Sequence, residues 1–205
     1  MHVLLLNGSP NAEGCTFTAL SEIAATLKEE NVTSEIFQLG KKPVRGCIAC
    51  GVCRERGECA FQDDALPALV EAAKRADALV VGSPVYYAGP NGALCALLDR
   101  LFFSAGSHLK FKPGAAVVSC RRGGASASFD RLNKYFTINQ MPVVSSQYWN
   151  SVHGFTPDDV RKDAEGLQTM RTLAHNLARM LRMESAVPRR QDEEEHLWTS
   201  FADGK

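Results

Sequence analysis

Short apolar runs alternate with stretches of helical periodicity along the chain, and this restricts the fold to a parallel sheet with helices on both faces. Val3 to Leu6 reads as a central strand. Phe17, Leu20, Ile23, Ala24 and Leu27 then recur at three- and four-residue steps, as on the buried face of an amphipathic helix. Further strands are expected at Ser34 to Leu39, Ala78 to Gly82, Ala115 to Cys120 and Pro142 to Ser145. Helices are expected at 65–75, 92–103 and 126–136, with a long one over 158–183 whose apolar stripe closes the sheet's outer face. The first of these carries Asp63 and Asp64 at its N-terminus, where the helix dipole favours acidic groups.

With 205 residues, 45% of them hydrophobic, the chain can bury one full core, so a single domain over 1–187 is expected, with a cysteine-rich loop at 45–62 and a charged tail at 188–205. The tail holds Trp198 and Phe201 beyond its charge run, as an unstructured end or as a contact for a neighbouring subunit. Lys plus Arg and Asp plus Glu both number 23, so the formal net charge is zero and nucleic acid is not the expected partner. No transmembrane span is expected, and because the N-terminus has no basic region ahead of its four apolar residues it reads as a strand and not as a signal peptide. Seven cysteines, an odd number, fit a reducing cytoplasm better than a secreted scaffold.

Four of those cysteines, Cys47, Cys50, Cys53 and Cys59, lie within thirteen residues in the spacing C-x-x-C-x-x-C-x5-C. This is close to the compact run that wraps a four-iron cluster in ferredoxins, although Cys59 lacks the following proline of the bacterial form. Small residues around them let several thiolates converge on one centre. Zinc sites more often split their ligands into two pairs across a longer insert, so zinc is the rival occupant, and a loop of uncoordinated thiols the third reading.

In an open parallel sheet, ligands gather beyond the carboxyl ends of the strands where strand order reverses. The loop after the first strand, residues 7–16, offers small, hydroxyl and amide residues directly before a helix start, where free N–H groups favour a phosphate. It has neither the Gly-Lys-Ser/Thr of a nucleoside-triphosphate loop nor G-x-G-x-x-G, so a monophosphate fits better. The loop after the third strand, residues 82–92, includes Pro84, Val85, Tyr86, Tyr87 and Gly89, which can line a flat aromatic ring. After the fourth strand, Arg121, Arg122, Gly123 and Gly124 place two guanidinium groups where they could steady a reduced ring or meet a nicotinamide cofactor.

Taken in order, Gly8-Ser9-Pro10, Gly14, Thr16, the cysteine loop ending Asp63-Asp64, Gly82-Ser83-Pro84-Val85-Tyr86-Tyr87 and Leu98-Asp99-Arg100 resemble the NAD(P)H-dependent FMN reductase and iron–sulfur flavoprotein family of flavodoxin-like proteins. The resemblance spans about Met1 to Asn139. It implies a three-layer doubly wound α/β sandwich with a five-stranded parallel sheet in the order 2-1-3-4-5, noncovalent FMN, and homodimers or homotetramers. By position, Ser9, Asn11, Gly14, Cys15 and Thr16 would hold the phosphate, Pro84 to Tyr87 the isoalloxazine, and Gly123 and Gly124 its far edge. The iron–sulfur branch would carry a 4Fe-4S cluster on the four cysteines. Asn11 and Cys15 stand where many relatives have arginine and asparagine, which implies fewer charged contacts to the phosphate.

Residues 148–155, after the expected fifth strand, should form a second wall on the ligand side. There Trp149 could pack over the flavin and His153 could hydrogen-bond the ring or donate a proton. The reading is an FMN-dependent oxidoreductase that passes electrons from NAD(P)H or a ferredoxin-like donor to a small acceptor such as a quinone, a flavin or an oxygen species. Its rival is a non-enzymatic electron carrier or a zinc-stabilised flavin-binding interaction protein.

Overall fold

The computed structural model describes residues 1–187 and, beyond them, residues 194, 195, 197 and 199. The expectations for Trp198, Phe201 and most of the tail lie outside the described residues. In chain order the elements are β1 (His2–Asn7), α1 (Cys15–Glu29), β2 (Thr33–Gln38), α2 (Val52–Arg56), α3 (Leu66–Arg75), β3 (Ala78–Tyr86), β4 (Gly89–Pro90), α4 (Gly92–Leu109), β5 (Gly114–Cys120), α5 (Ala125–Ile138), β6 (Ser151–His153), α6 (Pro157–Lys162) and α7 (Ala164–Ala186).

The parallel strands run in the order β2-β1-β3-β5-β6, while β4 folds back on β3 as an antiparallel hairpin. With that hairpin set aside, this is the expected 2-1-3-4-5 order. The chain leaves β1 in one direction for β2 and returns to the other side of β1 for β3, so the switch point lies between the ends of β1 and β3.

Side chains alternate across the sheet and build two cores. Leu4, Leu6, Leu79 and Val81 pack with Leu94, Leu97, Leu98 and Leu101 of α4 and with Leu132 and Phe136 of α5. Val3, Leu5, Val80 and Val117 pack with Leu20, Ile23 and Leu27 of α1 and with Met170, Leu173 and Leu177 of α7. Both faces of β1 are therefore sealed, which is why Val3 to Leu6 is uninterrupted apolar sequence. Each such leucine contributes about 1.5–3 kcal/mol by burial.

Two expectations are corrected. The segment 142–145 is not the fifth strand: it makes one parallel bridge, Gly114 to Val143, and the strand is β6. Pro142 has no N–H to give the ladder, although its carbonyl accepts from Gly114 N at 2.9 Å. The long helix is divided at Asp163, whose backbone leaves helical geometry (φ −76°, ψ 79°) and whose carboxylate accepts from Gly166 N, so that Asp163 ends α6 and caps α7. Among the described residues no helix is long and apolar enough to cross a membrane.

Candidate functional site

The carboxyl ends of β1, β3 and β5 bring three loops together. The first is pinned from below by two side chains: Asn7 donates to Gln38 Oε1 at 2.6 Å, and Gln38 Nε2 donates to the Ser9 carbonyl at 2.6 Å. Ser9 Oγ, buried, accepts from Asn11 N at 3.1 Å and fixes the turn. Gly14 precedes α1 in extended conformation, and no side chain caps the helix, so its first N–H groups have no side-chain acceptor. Free N–H groups at a helix start of this kind favour an anion.

Two residues of that loop are engaged differently from expectation. Thr16 is buried, and its hydroxyl shares a 2.8 Å hydrogen bond with Ser119 of β5, so the threonine side chain ties α1 to the sheet. The Cys15 thiol points to the Gly154 carbonyl at 3.8 Å, and burial pushes its pKa up, so it stays a neutral thiol. Neither hydroxyl nor thiol is directed outward. Lys41, which sequence reasoning left aside, lines a cavity of about 500 Å³ together with Pro10, Asn11, Gly14 and Gln38. The parallel register carries the end of β2 alongside the loop after β1 and so places this cation there.

The second loop is joined to the first. Gly8 N donates to the Gly82 carbonyl at 2.8 Å, and Asn91 Nδ2 donates to the Gly8 carbonyl at 2.7 Å. A Cβ on Gly8 would lie 2.4 Å from Leu94 and 2.7 Å from Gly82 O, so only glycine permits this approach. Tyr86 pairs with Gly89, leaving Tyr87 and Ala88 as a two-residue turn in which both residues have positive φ (49° and 60°). Tyr86 is half exposed and Tyr87 fully so, both available to a planar ligand.

The third loop meets the second at Gly124, whose φ is +91° and whose added Cβ would lie 2.7 Å from Ala88 Cα and 2.8 Å from Val85. Arg121, Arg122 and Gly123 are exposed beside this contact. His153 is level with Cys120 at the carboxyl end of β6, exposed, with Nδ1 3.7 Å from Asp163 Oδ2 and its backbone N–H on the same carboxylate at 2.6 Å. Trp149, expected beyond the last strand, instead precedes β6. It is 56% exposed and leans on Tyr148 with ring centroids 4.9 Å apart. Its displacement follows from the shift of the fifth strand to 151–153.

The cysteine loop lies between β2 and α3. Cys47, Cys50, Cys53 and Cys59 all line one cavity of about 230 Å³, closed by Phe61 and by Arg100, Phe103 and Ser104 of α4. Cys53 stands on α2, a single turn bounded by Gly51 and Gly57, both in the left-handed conformation. Ala49 N points at Cys47 Sγ (3.5 Å) and Arg100 Nε at Cys59 Sγ (3.3 Å). Among the described residues no group of three or more His, Cys, Asp or Glu is drawn together as a ready metal site. The donor set itself fits an iron–sulfur centre: four thiols, unpaired with one another, face a common space with N–H donors behind two of them.

Sequence reading singled out Arg100 only as part of a motif, yet it is the best-anchored polar residue of this region. Its side chain is 1% exposed, it is paired with Asp64, and it also donates to the backbone of Arg45 and Phe61. Burial alone would push the Asp64 carboxyl up. The hydrogen bonds from Arg100 and Leu66 N, with the guanidinium charge, outweigh burial and hold it below the usual range.

A family model described as NADPH-dependent FMN reductase matches residues 1–156. An iron–sulfur flavoprotein of Methanocaldococcus jannaschii is 32% identical over 191 residues, covering 89% of this chain and 98% of the relative. An iron–sulfur flavoprotein of Methanosarcina thermophila is 30% identical over 191 residues, covering 89% and 96%. Among solved structures, RosB with a bound formylriboflavin-phosphate intermediate has a TM-score of 0.69 at 13% identity, covering 100% of this chain and 92% of that one. An archaeal flavodoxin has a TM-score of 0.59 at 15% identity, covering 89% and 99%. At such identities the likeness concerns the fold, which is flavodoxin-like.

Proposed function

We propose, from the premise that the chain belongs to the NADPH-dependent FMN reductase family and is a flavin-dependent oxidoreductase, that it couples two redox centres, FMN on the strand-end loops and a 4Fe-4S cluster on Cys47, Cys50, Cys53 and Cys59. The observation that carries this reading is that all four cysteines line one cavity. It is supported by the relatives whose names describe iron–sulfur flavoproteins. When bound, the flavin supplies one- or two-electron exchange and the cluster single electrons, so that a reduced nicotinamide or a ferredoxin-like carrier serves as donor and a small quinone, flavin or oxygen species as acceptor.

The chain's own residues bind and orient. The uncapped start of α1, the turn held by Ser9 and the backbone around Asn11 and Gly14 receive the phosphate, with Lys41 adding charge. Pro84, Val85, Tyr86, Tyr87 and Gly89 line the ring, Gly124 locks that loop in place, and Arg121 and Gly123 border it. His153, backed by Asp163, holds a proton at Nδ1 or Nε2 at the site's edge. Assembly as a homodimer or homotetramer belongs to the same reading.

Anaerobic purification with iron and acid-labile sulfide analysis, beside a Cys50→Ser variant, tests it. About four irons and four sulfides per chain, lost in the variant while flavin absorption stays, is the expected result. Flavin with neither iron nor sulfide would leave a hydride-driven FMN reductase, and stoichiometric zinc would assign the thiols a structural role.

A further inference from the structure

Arg100 lies on α4, yet every acceptor of its guanidinium that the structure gives belongs to the cysteine insert or its immediate flank. Nη1 donates to the Arg45 carbonyl at 3.3 Å and to the Asp64 carboxylate, and Nη2 donates to the Phe61 carbonyl at 2.7 Å. Arg45 precedes the first cysteine, and Phe61 and Asp64 follow the last, so one side chain joins the two ends of the insert. The remaining direction of the fork, Nε–H, points at Cys59 Sγ at 3.3 Å. The Phe61 ring covers the guanidinium, 5.6 Å from its centroid.

A buried ion pair is weak evidence of a stabilising role by itself. Here Asp64 balances the charge of Arg100, so what reaches Cys59 is a directed N–H, in a cavity whose lining apart from the four cysteines is Ile48, Ala49, Gly51, Ala60, Phe61 and Phe103 with Arg54 and Ser104 as its other polar side chains. Hydrogen bonds to ligand sulfur strengthen as negative charge accumulates there, and outer-shell partners of this kind set both ligand orientation and potential. The planar fork satisfies four acceptors in fixed directions, which the point charge of a lysine cannot reproduce.

We propose that Arg100 is the positioning residue of the cysteine centre: it closes the neck of the loop at Arg45 and Phe61 and directs Nε–H at Cys59 sulfur, favouring the reduced form of the cluster held there. The second half rests on the cluster reading above; the first half does not.

The test uses the full chain with Arg100→Met and Arg100→Lys. In metal-free protein, amide hydrogen exchange is expected to quicken across residues 45–64 in Arg100→Met while the sheet stays protected. After anaerobic reconstitution, Arg100→Met should retain less iron and sulfide than wild type. Redox titration of its remaining cluster should show the one-electron equilibrium moved at least tenfold toward the oxidised form, about 59 mV lower in midpoint. Arg100→Lys should recover part of the iron content and little of the midpoint. A fully loaded Arg100→Met protein with unchanged exchange and midpoint overturns the proposal. Loss of protection throughout the sheet in both variants also overturns it, by making Arg100 a core residue only. Wild-type protein that takes up neither iron nor sulfide overturns the cluster reading and the tuning role together, while exchange over 45–64 still decides the clamp.

Discussion

Tyr87 and Ala88 adopt the left-handed conformation in succession, in a two-residue hairpin turn where Asn-Gly is the usual choice. Each non-glycine residue held there costs about 1 kcal/mol or more, and the surrounding structure must enforce it. Val85 and Ala88 pressed against Gly124 are that enforcement. Ala88→Gly should therefore raise stability in urea by about 1 kcal/mol, since the strain is relieved. It should also weaken FMN retention, because the loop becomes free to take other paths; unchanged retention in a flavin titration would detach the strain from the site. Asp64 provides a test of a different kind. Its pKa is lowered in the folded state, so its contribution is fully present above the unfolded value and is lost as pH falls through the folded one. Asp64→Asn leaves the buried Arg100 without its counter-ion, at a cost of about 3–5 kcal/mol near neutral pH. Urea midpoints for wild type and variant should converge only when pH falls below the ordinary aspartate range.

At the scale of elements, α4 connects the two candidate centres. Its N-cap Asn91 accepts from Ala93 N at 3.0 Å, donates to Gly8 O, and takes its place from Ser83 Oγ, which accepts Asn91 N at 3.0 Å. Eight residues on from Gly92, about 12 Å along the axis, the same helix presents Arg100 to the cysteine loop. Asn91→Ala removes the cap and a buried hydrogen bond, roughly 2–3 kcal/mol together, and should loosen both strand-end loops. Asn91→Asp keeps the acceptor for Ala93 and should fall between, as thermal unfolding with and without FMN would show. This arrangement was only partly legible in the sequence. The alternation of apolar runs and helical stripes sufficed for a parallel sheet covered on both faces, because such burial leaves no other pattern for β1, β3 and β5, whereas the strand order was implied only by the family resemblance. Arg100 was hidden because a charged residue among Leu97, Leu98 and Leu101 reads as the solvent side of the helix; it is covered by a segment 36 to 55 positions earlier in the chain. Strand β6 was missed for the opposite reason. Val143 and Val144 have strand character, but Pro142 limits their ladder, and the pairing passes to the less obvious Ser151–His153.

For the molecule as a whole, the two cores have unequal duties. The α1 and α7 side seals the sheet and ties the start of α1 to β5 through Thr16, while the α3, α4 and α5 side carries the cysteine insert. Local spacing made both candidate centres visible, since a loop before a helix and a run of cysteines are signals within a few residues of one another. Their separation along one helix is a tertiary fact that no short window holds. The closed neck at Arg100 has a further meaning for how such a chain can change over time. Because the insert's two ends meet at its base, its length and composition are decoupled from the path between β2 and α3, and it stands on the domain as an exchangeable cartridge. Residues inside it can be lengthened, shortened or replaced while the strand-end loops and the sheet beneath them keep their own design.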